Sequence, residues 1–183
     1  MGIKTVTSEY HLREALAQQS STASRSTIRL RNIKNSVIAL HHIIRLVSNV
    51  DTTATLDLWN FLAADRFWLN DNGSQITNKI EWNEAAFNQW GIYADNVKMY
   101  PKMQPGYNIG SMAFCERELV ESSDDDCFGS RTIGKYNNPE DIVEFDQAST
   151  AAAAVTGAAY LDIWADVHNL LIYQAGDLRK YLL

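Results

Sequence analysis

Four cations stand within ten positions of one another: Arg25, Arg29, Arg31 and Lys34. The first lies in a Ser-rich stretch, Ser20-Ser-Thr-Ala-Ser-Arg-Ser. Cations on such a segment can reach phosphates and displace counterions without reading base sequence. The competing reading is a basic face that is merely solvated. Other residue types offer less. His41 and His42 are adjacent, so they point to opposite faces of a strand, or lie about 100° apart on a helix, and neither arrangement suits one metal ion. His11 and His168 have no ligand spacing. Asp124-Asp125-Asp126 supplies oxygens of the kind Ca²⁺ takes, without the further ligands such a site requires, so a solvated acidic loop is expected. Cys115 and Cys127 could close one loop, but two cysteines make no framework, and reduced thiols are expected. There is no Gly-rich phosphate loop and no Gly-x-Ser-x-Gly. The expectation is therefore no enzyme, no cofactor and no metal.

Charge supports a polyanion partner at one end. Residues 1–50 carry seven cations (Lys4, Arg13, Arg25, Arg29, Arg31, Lys34, Arg45) against Glu9 and Glu14, a balance of +5. The whole chain is −6, so the remainder is −11. A basic segment on an acidic body can hold nucleic acid locally while the body repels it. The length of 183 residues suits one domain with a real core. Aromatics are plentiful, at 10%, and favour strands and interfaces. Met1-Gly-Ile-Lys leads into a polar segment, so no secretory signal is expected there. No apolar run reaches the roughly 18 residues of a membrane span, and no membrane partner is expected.

The elements that would position these residues are mostly strands. Val97 and Met99 alternate with Lys98 and Tyr100 up to Pro101, and Gly110, Met112 and Phe114 alternate after a Pro-Gly turn. That predicts a β-hairpin whose Val97, Met99, Met112 and Phe114 share one apolar layer. Ile28 and Leu30 alternate with Arg29 and Arg31, a strand with a basic face. Ser36 to Val50 fits both periods, and its β-branched residues favour a strand. Leu56 to Leu69 reads as a short helix or a strand-turn-strand. Asn70-Asp-Asn-Gly-Ser is a turn. Thr132–Tyr136 and Ile142–Phe145 are short strands around the Asn137-Asn-Pro turn. Ser8 could cap a short helix carrying Leu12 and Leu16. Ala151 to Ala159 could open another helix. From Leu161, a heptad-like series competes with strict alternation of Leu161, Ile163, Ala165 and Val167 against Asp162, Trp164, Asp166 and His168. Alternation is the sharper signal.

Trp82–Phe114 resembles a segment of the jelly-roll capsid proteins of small icosahedral viruses and satellite viruses. There, aromatics lead into an alternating strand that stops at proline, and a strand of small and apolar residues follows. Gly176–Tyr181 resembles the last strand of such a coat. The resemblance implies a mainly β protein: an eight-stranded jelly-roll sandwich with short helices in loops and an N-terminal arm. Residues 1–27 would be the flexible arm and 28–183 the shell domain. It also implies a virion protein that self-assembles into an icosahedral shell. The shell would package viral RNA or single-stranded DNA through Arg25, Arg29, Arg31 and Lys34. The alternative from periodicity is a helical interaction module using residues 151–183.

Overall fold

The structure is a computed structural model. It describes residues 2–17, 23–50, 61–82, 109–114, 116–117, 127–128, 130–174 and 177–182. The strands are β1 (Gly2–Leu16), β2 (Ser24–Arg29), β3 (Ser36–Leu46), β4 (Arg66–Asp71), β5 (Ser74–Gln75), β6 (Ile80–Glu81), β7 (Ile109–Ala113), β8 (Glu116–Arg117), β9 (Cys127–Phe128), β10 (Arg131–Thr132), β11 (Pro139–Phe145), β12 (Ala159–Gln174) and β13 (Asp177–Leu182). Short helices at Val47–Val50 and Thr150–Ala154, and a 3₁₀ turn at Ile133–Lys135, sit in the connections.

Alternation in β12 sets the architecture. Leu161, Ile163, Ala165 and Val167 are fully buried, while Tyr160, Trp164, Asp166 and His168 on the other face are half-buried. One edge of β12 pairs with β1 along the whole of that strand, Gly2 opposite Tyr173 to Leu16 opposite Ala159. The other edge pairs with β3 and then β13, and β3 carries β7 and β10 beyond it. A second sheet runs β2-β11-β4, with β5 and β6 on β4. The chain alternates between the sheets, so the main strands fall as β1-β12-β3-β7 and β2-β11-β4-β6. That interleaving of two antiparallel sheets is a jelly roll. Between the sheets lie Leu40 and Ile44 from β3, Phe67 and Leu69 from β4, Val143 and Phe145 from β11, and the inner face of β12.

Several expectations hold. Ser36–Leu46 is a strand, and Ile142–Phe145 falls inside β11. The β4–β5 hairpin turns on Asn72 and Gly73, both with positive φ (50° and 84°), as a two-residue I′ turn requires. Ser149 caps the alanine-rich helix by accepting from the Ala152 amide.

Others are corrected. Residues 2–16 are not an arm outside the core, nor does Ser8 cap a helix: they form β1, and Leu16 is buried in the core. Leu12 and Leu16 are four apart, a spacing common to both periods, and Tyr10 on the same side completes a strand face against the core. Part of the supposed arm, Ser24–Arg29, is β2, paired with β11. Among the described residues of 151–183 there is no long helix; β12 and β13 stand in its place, since alternation lets β12 bury one face against the core. Of Thr132–Tyr136 only Thr132 belongs to a strand, β10, and the chain then tightens into the 3₁₀ turn at Ile133–Lys135. Met112 is buried and Phe114 half-buried against the core, whereas Val97 and Met99 lie outside the described residues, as does the Asp124–Asp126 run.

Candidate functional site

The four basic residues read from the sequence go to three different places. Arg25 lies on the outer face of the second sheet. Its Nε donates to Glu144 Oε1 at 2.7 Å, and its guanidinium sits 5.5 Å from the Trp68 ring. Glu144 is also held by Arg66 and Lys79 at 3.1 Å each. Burial raises the Glu144 pKa, but hydrogen bonds from Arg25, Lys79 and Arg66 outweigh it and leave the carboxyl below its usual range. Arg29 lines a shallow depression between β1 and β2 with Arg13 and Glu14.

Arg31 and Lys34 come together. The β2–β3 connection carries them, and the 3₁₀ turn adds Lys135, which sequence reasoning missed. The three cations rim a depression of about 380 Å³ that Thr132, Tyr136 and Asn137 also line. Ile33 and Ile133, both buried, anchor the two loops in the core. Gly134 lets the loops touch: a Cβ there would lie 3.1 Å from the Lys34 carbonyl oxygen. Lys135 lies 101 positions after Lys34 in the chain. The Asn137-Asn-Pro turn signalled a reversal, but not which loop it would meet.

Two charged clusters lie elsewhere. Arg13 and Arg45 flank Asp162, with Arg13 Nε at 2.6 Å and Arg45 Nη2 at 2.8 Å, and His11 Nε2 stands 2.7 Å from the same carboxylate. Burial raises the Asp162 pKa, and the hydrogen bonds from Arg13, Arg45 and His11 reverse this, holding it low. Between the sheets, His42 Nδ1 donates to the Gly110 carbonyl at 2.9 Å and Nε2 meets Asp141 Oδ2 at 2.6 Å. Burial lowers the His42 pKa, but the Asp141 charge and hydrogen bond and the Gly110 carbonyl raise it overall. Adjacent His41 points to the opposite face, toward Ser111 Oγ (2.9 Å) and Asp166 Oδ2 (3.2 Å). Hydroxyl, imidazole and carboxylate thus line up as in a nucleophilic relay. Acyl transfer also needs a concave site and oxyanion donors. None of the three lines either depression described above. They tie β3, β7 and β12 together. Among the described residues no group of three His, Cys, Asp or Glu could hold a metal.

The topology and these sites can be set beside known proteins. No family model matches the sequence, and no curated protein matches it. Solved structures do match in fold. The chain superposes on the Faustovirus major capsid protein with a TM-score of 0.67 at 9% identity, covering 94% of this chain and 34% of that one. It matches the PBCV-1 virus capsid at TM-score 0.61 and 14% identity, covering 97% of this chain and 51% of that one. PBCV-1 VP54, fitted into a reconstruction of the virophage Sputnik, gives 0.60 and 13% with the same coverage. The chain has the fold of viral major capsid proteins. It spans about half the length of the PBCV-1 chains and about a third of the Faustovirus protein. At these identities the likeness is one of fold. It agrees with the jelly-roll topology read from the strand pairing.

Proposed function

We propose that this chain is a structural capsid protein of the virion, and that it self-associates into a shell. The observation that carries the reading is the interleaved two-sheet topology, which superposes on major capsid proteins over nearly the whole chain. The helical-module alternative fails because residues 159–174 form a strand at the centre of a sheet. Among the described residues no helix is long and apolar enough to cross a membrane.

Within this reading the basic segment contacts viral RNA or single-stranded DNA. Arg25, Arg29, Arg31 and Lys34 are the proposed contacts. Arg31 and Lys34 would contribute most, because Arg25 is matched to Glu144 and Arg29 shares its depression with Glu14. Electron microscopy and sedimentation of the purified chain test the assembly. Closed particles or large homo-oligomers are expected under some condition of salt and pH. A monomer under all of them rules out shell formation by this chain alone.

A further inference from the structure

We propose that the depression rimmed by Arg31, Lys34 and Lys135 is a phosphodiester-binding subsite for single-stranded nucleic acid, an inference that rests on the capsid reading above. Five cations elsewhere among the described residues are matched to carboxylates. Arg13 and Arg45 pair with Asp162, and Arg25, Arg66 and Lys79 pair with Glu144. Among the described residues no carboxylate lines the depression, although the chain is −6 overall. Like charges repel, so three cations at one concavity cost stability unless an anion fills it. A cleft lined by one sign also focuses the field on a ligand.

The details fit a phosphate. Arg31 Nε donates to Asn138 Oδ1 at 2.9 Å, which fixes the guanidinium plane and leaves its terminal nitrogens for a bidentate contact. Lys34 and Lys135 both line the depression as point charges, on loops whose backbones approach closely at Gly134. The volume, about 380 Å³, takes a nucleotide rather than a lone ion. Tyr136 lines the depression and offers the type of ring on which single-stranded bases stack.

Fluorescence anisotropy with a labelled single-stranded 20-mer, read across a salt series, tests this on the full chain. Lys34→Ala/Lys135→Ala is compared with Arg25→Ala/Arg29→Ala, which removes the same charge. The lysine pair should lower the slope of log affinity against log salt by about 1.4, two contacts at about 0.7 each on a single strand. The arginine pair should change it by less than half as much. Lys34→Arg/Lys135→Arg should keep the slope, which separates lost charge from lost folding. Equal losses from both alanine pairs would overturn the subsite while leaving nucleic-acid binding by the chain intact. No binding by the unsubstituted protein at any salt would overturn both. Lysine-dependent binding to vesicles containing phosphatidylserine, with none to the 20-mer, would also overturn it in favour of a lipid headgroup.

Discussion

Asp141 and Asp162 are both shut off from water, but in opposite ways. Asp162 lies on the outer face of its sheet and is roofed by its own partners. Both of its oxygens accept from arginine, and those partners keep contact with solvent, with Arg13 39% and Arg45 20% exposed. Asp141 points into the sandwich. One oxygen meets His42, itself fully buried, and the other has no partner among the described residues. Trp82, whose ring centre lies 6.1 Å from that of His42, also has an Nε1 with no partner among the described residues. The outer site satisfies its charge more fully than the inner one. Burial alone therefore does not say what a charge contributes; the number of donors and their access to water decide it.

The largest expected effect breaks the inner pair. His42→Leu leaves Asp141 buried with neither oxygen matched, and should cost about 3–5 kcal/mol in urea unfolding. His42→Leu/Asp141→Leu removes both polar groups and should recover most of that, because a buried pair is often replaceable by apolar residues. A single substitution costing under about 1 kcal/mol would mean that Asp141 finds another partner.

Asp162→Asn should cost less, about 1.5–3 kcal/mol, the range of hydrogen bonds to charged groups. Arg13, Arg45 and His11 would then turn to water instead of being stranded. Asp162→Asn costing more than His42→Leu would invert the comparison.

The difference between the sites was only half legible beforehand. Asp162 falls on the polar side of the β12 alternation, so its outward direction followed from the sequence. Its arginine partners, Arg13 and Arg45, are on β1 and β3, and only the pairing of β12 with both strands brings them together. His42 and Asp141 occupy apolar-face positions of β3 and β11, where alternation expects hydrophobic residues, and nothing local announces that each completes the other. The strands were legible through alternation, β-branched runs and turns, whereas the jelly roll was implied only by the resemblance of Trp82–Phe114 and Gly176–Tyr181 to capsid strands. β1 was not, because Leu12 and Leu16 serve a helix and a strand equally. The Lys135 loop needed tertiary structure to reach Lys34.

Acid and alkali should separate the two sites further, by less than either deletion, since titration changes charge without removing atoms. His42 is raised above 6.5, so its contribution is complete below that value and declines as pH rises beyond it through the folded value. Asp162 and Glu144 are lowered from 3.8 and 4.5, so theirs are complete above those values and fall away toward stronger acid. Stability should therefore be greatest between about 4.5 and 6.5. Thermal melts across pH check this. The His42→Leu/Asp141→Leu variant should lose the alkaline decline and keep the acid one, and Asp162→Asn should blunt the acid side. An alkaline decline unchanged in the double variant would assign it to another group.

The smallest effect extends the comparison to the third cluster. Arg25 contacts Glu144 and covers Trp68, yet its side chain is 61% exposed. Arg66 and Lys79 hold the same carboxylate, and Lys79 Nζ lies 4.3 Å from the same ring centre. Water screens an exposed pair, and a carboxylate with two other donors is not left unmatched when one leaves. Arg25→Ala should therefore cost under about 1 kcal/mol by urea unfolding. Arg66 is only 26% exposed and also meets Asp146, so Arg66→Ala should cost more than Arg25→Ala. If Arg25→Ala proved the costlier, the Trp68 ring would owe its 3% exposure to the Arg25 stem, and packing rather than charge would be the contribution of that residue.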